Sequence, residues 1–321
     1  MAEKKKLNLA IYWAGACGGC DVSILDTDEK ILDIAAAADI KFWPIAMDYK
    51  VSDVEALKDN ELDVTLFNGA VRNSEQLHLA QLLRKKSKIL ISYGSCAYLG
   101  GIPGLANFSN KEAILERVYK TSESVETNGG AVYPSPKSKV PEGEVEIPEL
   151  HDYVKALHQV VDVDYFLPGC PPTTDLINLA VNAIITGKLP PKGAVIAADK
   201  NLCDSCKRKK TEEKSVKRFY RPHEIIPDNE RCLLEQGILC MGPATRGGCG
   251  ARCIEANMPC RGCFGPAPGV EDMGAKMLAA AASVIDARTP EEAASITATL
   301  PDVAGTFYRF NLPVSLLRRA K

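Results

Sequence analysis

A chain of 321 residues with 46% hydrophobic content can bury a large core and has room for one large domain and a smaller one. Its 39 basic and 41 acidic residues nearly cancel, so no overall field directs it to nucleic acid or to an anionic membrane surface. The longest apolar runs, such as "AAAASVI" at 279–285, are too short for a transmembrane helix. The opening "MAEKKKLNLAIYW" passes into a strand-like pattern without an export signal. We therefore expect a cytoplasmic protein, in which 12 cysteines serve metal binding or redox chemistry rather than structural disulfides.

In chain order, the strand-like "LNLAIYW" (7–13) is followed by a helical stretch from about Ser23 to Ala38. Strands are expected at "IKFWPIAM" (40–47), "DVTLFNG" (63–69) and "KILISYG" (88–94), with a helix at "SEQLHLAQLLRKK" (74–86). A helix at 110–120 leads into a polar stretch from Thr121 to about Pro148, rich in Ser, Pro, Gly and Glu, which reads as a long surface loop. Beyond it the pattern gives a helix near 150–160, a strand at 163–169 and a helix at 174–187. Such alternation predicts a doubly wound α/β domain on a parallel sheet over about 1–200. From 201 to 321 cysteines, glycines and charges dominate, with one clear helix at 271–287. That part has too little apolar periodicity to build a core alone, and no internal repeat beyond its CxxC pairs.

Four cysteines, Cys17, Cys20, Cys96 and Cys170, each lie just past the carboxyl end of a predicted strand. In an open parallel sheet those ends share one edge, where such folds bind ligands, so the four thiols should meet. The surrounding "GSCAYLGG" and "PGCPP" supply glycines for close backbone approach and prolines to stiffen the loop. The other eight divide in order into Cys203, Cys206, Cys232, Cys240 and Cys249, Cys253, Cys260, Cys263. The result is three tetrathiolate sets with no cysteine left over. Four-cysteine sites suit zinc or iron–sulfur clusters, and spacing alone separates the two poorly.

Plainer readings compete with this one. A thioredoxin-type switch at "WAGACGGC" leaves ten cysteines idle. The run "KRKKTEEKSVKR" (207–218) reads as a solvated surface of mixed charge. His78, His151, His158 and His223 are scattered and read as ordinary residues.

The ordered motifs, CxxC after the first strand, "GSCAYLGG", "PGCPP" and a cysteine-rich C-terminal part, resemble the small, electron-transferring subunit of nickel–iron hydrogenases over nearly the whole chain. The all-cysteine C-terminal set and "FWPIAMD" look most like the cytoplasmic methyl-viologen-reducing branch, which is not deazaflavin-reducing and is linked to heterodisulfide reductase. The resemblance implies a flavodoxin-like domain followed by a smaller, irregular iron–sulfur domain, together holding three 4Fe-4S clusters. By the same resemblance Cys17, Cys20, Cys96 and Cys170 hold the proximal cluster, Cys249, Cys253, Cys260 and Cys263 the medial one, and Cys203, Cys206, Cys232 and Cys240 the distal one. Its implied partners are a nickel–iron large subunit, a small iron–sulfur subunit and a heterodisulfide reductase-type complex, with no catalytic residue in this chain and no membrane span.

The chain departs from many relatives in having Ala16 and Val22 where they carry glutamates, with Asp21 the acidic residue at hand. Gly19 argues against the cysteine-enriched proximal cluster of oxygen-tolerant relatives. Many exported relatives have a proline near the position of Cys253 and a 3Fe-4S medial cluster; here a fourth thiol stands ready. Two other readings remain at this point: a complex I-type subunit, which typically has adjacent cysteines and lacks the eight-cysteine extension, and a zinc-stabilised interaction module.

Overall fold

The computed structural model describes residues 6–127, 130–211 and 213–318. The strands are β1 (Leu7–Trp13), β2 (Ala38–Phe42), β3 (Leu62–Asn68), β4 (Val71–Asn73), β5 (Ser87–Tyr93), β6 (Lys137–Val140), β7 (Gly143–Glu146), β8 (Leu150–Lys155) and β9 (Tyr165–Leu167). Five of them form a parallel sheet in the order β2-β1-β3-β5-β9. Counting sheet strands alone this is 2-1-3-4-5, the flavodoxin-like order. The alternation along each strand sends residues to opposite faces. Leu9, Ile11, Val64 and Ile91 pack on one side against Ile177 and Ala180 of the helix Thr174–Thr186. Ala10, Phe67 and Leu90 pack on the other against Leu79, Ala80 and Leu83 of the helix Ser74–Lys86. That second helix starts on a reciprocal cap between Asn73 and Gln76 and ends in Arg84, Lys85 and Lys86, cations placed where the helix dipole favours them.

Several expectations are corrected. The helical stretch at 23–38 is two helices, Gly19–Leu25 and Ile31–Ala37, interrupted by a 3-10 turn at Asp28–Lys30 where Asp28 takes φ +53. The strand expected over 40–47 ends at Phe42, and Trp43 opens a turn. The helix expected near 150–160 is instead β8, antiparallel to β4, followed by the short turn Leu157–Gln159. Its strand form is held from outside: Asn107 bonds both the N–H and the C=O of Val154, and Asp152 accepts from the Lys111 N–H. Within the polar stretch at 121–148 lies a fully exposed hairpin of β6 and β7.

The C-terminal part also departs from expectation, because it has an apolar cluster of its own. Leu202, Phe219, Leu233, Ile238, Met277, Phe307 and Leu312 are buried together. Apart from the helix Met273–Val284, these come from turns and short helical segments. They show no period, because each is placed by a separate loop.

Candidate functional site

The four strand-end cysteines are positioned by the sheet. Cys17 and Cys20 flank the start of the helix Gly19–Leu25 after β1, Cys96 lies in the helix Ser95–Leu99 after β5, and Cys170 follows β9. Gly94, at φ +83, brings the end of β5 beneath Cys20, and a Cβ added there would stand 2.3 Å from the Cys20 sulfur. A Cβ at Gly101 would stand 2.5 Å from the Cys96 sulfur, so side-chain-free backbone cradles both thiols. The Ser95 N–H bonds Gly169 and the Gly94 N–H bonds Leu167, which pins the Cys96 and Cys170 loops to each other. The four thiols act on one another electrostatically. Burial first, and then these neighbours, push Cys96 up to about 12 and Cys20 higher still. Metal binding draws on the deprotonated form of such thiols.

The eight later cysteines sit on turns. Cys203 lies within the 3-10 turn Leu202–Ser205 and Cys206 closes it, and Asn201 accepts from the Cys203 N–H while donating to the Pro243 carbonyl. Cys232 is fixed by its N–H to the Lys209 carbonyl. These three and Cys240 line a cavity of about 660 Å³, with Lys210, Arg208 and Lys276 on its wall. A Cβ at Gly242 would stand 3.1 Å from the Cys203 sulfur and 3.6 Å from that of Cys240. Burial raises Cys203 to about 12, an effect Lys210 opposes and Cys240, Cys232 and Cys206 reinforce.

Cys263 lies in the field of Cys249 and Cys253, and burial raises it to about 12. This middle set touches both others. Cys170 and Cys263 act on each other electrostatically, and the Ser95 hydroxyl, next to Cys96 in the chain, donates to the Cys263 carbonyl. On the far side the Cys260 N–H lies 3.3 Å from the Cys240 sulfur. Among the described residues no three His, Cys, Asp or Glu side chains are gathered to hold a single metal ion. All twelve cysteines are free of disulfides.

Comparison with known proteins places this arrangement. The family model for the NADH ubiquinone oxidoreductase 20 kDa subunit matches residues 17–184. The F420-non-reducing hydrogenase iron-sulfur subunit of Archaeoglobus profundus is 42% identical over 98% of this chain and 98% of its own. The chain belongs to the family of iron–sulfur small subunits of F420-non-reducing hydrogenases. The corresponding subunit of the F420-non-reducing hydrogenase from Methanothermobacter thermautotrophicus is 41% identical over 99% of this chain and 97% of its own. A NiFeSe hydrogenase structure from Dm. baculatum covers 83% of this chain and 96% of its own at TM-score 0.50 and 18% identity, which shows a shared fold. As a family member the chain is an iron–sulfur small subunit of a nickel–iron hydrogenase, part of an oxidoreductase complex with a large subunit. The complex I-type model stops at 184, whereas the likeness to the F420-non-reducing hydrogenase subunits runs on through the eight later cysteines. No helix among the described residues is long and apolar enough to cross a membrane.

Some residues of the site were not legible in advance. Asp21 is buried, and its two oxygens accept from the Trp43 indole N–H at 2.9 Å and the Asn68 amide at 3.0 Å. It therefore braces the Cys20 helix from inside and does not present a surface carboxylate. Tyr93 and Ser23 share a hydrogen bond at 2.9 Å beside it. Arg208, read from its run as solvated, is buried and donates to the Asp228 and Arg231 carbonyls and to Asn257. Its neighbours Lys207 and Lys209 do pair at the surface, with Glu255 and Glu230.

Proposed function

We propose that this subunit relays electrons through three 4Fe-4S clusters, from a nickel–iron site in the large subunit to an acceptor beyond the distal set. Cys17, Cys20, Cys96 and Cys170 would hold the proximal cluster, Cys249, Cys253, Cys260 and Cys263 the medial one, and Cys203, Cys206, Cys232 and Cys240 the distal one. The observation that supports this reading is a row of contacts, Ser95 beside Cys96 bonding the Cys263 carbonyl and the Cys260 N–H bonding the Cys240 sulfur, as expected of a middle set lying between the other two. The cradle of glycines around Cys20, Cys96 and Cys203 fits an all-thiolate ligand set. The chemistry that such clusters supply when bound is reversible storage of single electrons at potentials tuned by burial and hydrogen bonds. The chain contributes thiolates, N–H donors to sulfur and short separations.

The large subunit would cover the edge bearing Cys17 and Cys170. Both are exposed, and the exposed apolar side chains of Trp13, Val22 and Leu25 surround Cys17 in sequence, a pattern of protein interfaces. The cavity lined by Cys203, Cys206, Cys232 and Cys240 opens to the surface, and we assign to it a small iron–sulfur subunit and a heterodisulfide reductase-type complex, in the cytoplasm. Iron, zinc and acid-labile sulfide analysis tests the ligand reading. About twelve irons, four per set, are expected, whereas mostly zinc with little sulfide would favour the interaction-module reading. Hydrogen consumption by this chain without its large subunit would overturn the relay role.

A further inference from the structure

The exposed hairpin pairs Lys137 with Glu146, Ser138 with Val145, Lys139 with Glu144 and Val140 with Gly143. Directly opposed residues share a face and successive residues alternate, so β6 and β7 present two unlike sides. One carries Lys137, Lys139, Glu144 and Glu146, and Lys137 pairs with both glutamates. The other carries Ser138, Val140 and Val145 and is continued by Ile147, whose N–H bonds the Pro136 carbonyl. Ser138, Val145 and Ile147 line an open groove of about 350 Å³ together with Tyr119, Val132 and Tyr133. The two tyrosine rings meet edge to face, with centroids 6.4 Å apart. One charged side and one apolar side is the pattern of a strand pair laid on a core. Yet no residue from 132 to 149 joins the buried apolar clusters of this chain, and the hairpin pairs with no other strand among the described residues. Val132 is 84% exposed, Val145 47% and Ile147 49%. A lone two-stranded hairpin is marginal in water, and apolar surface grouped in this way marks an interaction site.

The base of the hairpin is fastened to the edge that bears Cys17. The Ser74 N–H bonds the Glu149 carbonyl at 3.0 Å, and the Glu149 N–H bonds the Ser74 hydroxyl at 2.9 Å. Ala70 and Gly15 exchange two backbone bonds of 2.9 Å, and Gly15 stands two residues before Cys17. The backbone from Ala70 to Ser74 spans at most about 14 Å. A partner that covers Cys17 over an interface of obligate size therefore meets the root of the hairpin. We propose that β6 and β7 form an arm whose apolar side docks on an uncharged, apolar strip of the large subunit, extending the contact that covers Cys17. The charged side stays in water. The inference rests on the placement of the large subunit over the Cys17 edge proposed above.

The test uses the purified hydrogenase complex and compares Val145→Glu with Ile147→Glu, on the apolar side, against Lys137→Ala with Lys139→Ala, on the charged side. The dissociation constant of the large subunit is expected to rise about tenfold or more in the glutamate pair and to stay within about twofold of wild type in the alanine pair. An unchanged constant in the glutamate pair overturns the proposal. So does an alanine pair that loosens as far, since the apolar side would then not be the cause. If the glutamate pair fails to fold, a photo-cross-linking amino acid in place of Ser138 decides. It should tether the large subunit; a tether to a second copy of this chain or to any other subunit, or none, overturns the proposal. The same probe in place of Val22 reads the placement over the Cys17 edge separately. A large-subunit cross-link from position 138 without one from position 22 overturns that placement and keeps the arm. The reverse overturns the arm and keeps the placement.

Discussion

Residues 7–186, with four cysteines, and residues 202–312, with eight, position their thiols by different means. In the first region the thiols ride on a parallel sheet whose strand ends share an edge, and the apolar layers on its two faces are continuous. In the second they hang on turns such as Leu202–Ser205 and on a four-residue helix, Arg252–Glu255, over an apolar cluster assembled from scattered residues. A sheet holds its ligand loops in place before anything binds. Turns of that kind gain much of their order from what they bind.

The largest expected effect follows from that contrast. Complete removal of bound iron should open residues 202–270 to protease while 7–186 stays resistant. Four-thiolate metal sites in small domains contribute about 10–16 kcal/mol of folding free energy, more than an apolar cluster of this kind replaces. Limited proteolysis with mass spectrometry reads the outcome, and equal resistance of both regions would show that the C-terminal cluster suffices alone.

Gly94→Ala sharpens the comparison from the sheet side. The new Cβ would sit 2.3 Å from the Cys20 sulfur at a residue with φ +83. We expect the loss of about four irons, those of the strand-end set, with the other eight retained. Gly274→Ala is its counterpart, placing a Cβ 2.0 Å from the Tyr308 ring in the C-terminal cluster without touching a thiol. Overpacking of this type costs about 1–3 kcal/mol, which thermal unfolding should register with full iron content. Retention of all iron by Gly94→Ala would break the cradle argument.

Asp164 tests the sheet region alone. Its carboxylate, nearly buried ahead of β9, accepts from Arg84 at 2.6 Å, the Leu90 N–H at 2.8 Å and Lys192 at 2.7 Å. Burial raises its pKa, but the bonds from Arg84, Lys192 and Leu90 outweigh that and hold it below the ordinary carboxylate value. A depressed folded pKa means stability that is present above the unfolded value of about 3.9 and lost as pH falls through the folded one. Asp164→Asn should therefore cost about 2–3 kcal/mol at neutral pH, and its gap from wild type should narrow below about pH 4. A gap that does not change with pH would assign the effect to packing.

Legibility in the sequence divides along the same line. The helix at 74–86 was readable to the residue because caps, period and terminal charges are local signals. The convergence of Cys17, Cys20, Cys96 and Cys170 was readable because topology alone brings strand ends together. What failed was set by distant partners. "LHDYVK" carries a helical period, yet Asn107 and β4 hold it extended. Arg208 looks like any basic residue until the fold carries it onto carbonyls.

The smallest expected effect belongs to Cys253. Its side chain is exposed, and its backbone is secured without the thiol, by the Met258 N–H bonding the Cys253 carbonyl at 2.8 Å. Removing an exposed thiol should change stability by no more than about 0.5 kcal/mol, so Cys253→Ala separates ligation from folding. If Cys253 is the fourth medial ligand, the variant loses one thiolate and one iron position. The anaerobically oxidised complex should then gain an intense 3Fe-4S resonance that wild type lacks. Its medial potential should also rise, because one negative charge fewer surrounds the group. An intense 3Fe-4S resonance already present in wild type and unchanged by the substitution would remove Cys253 from the ligand set and leave it a surface thiol.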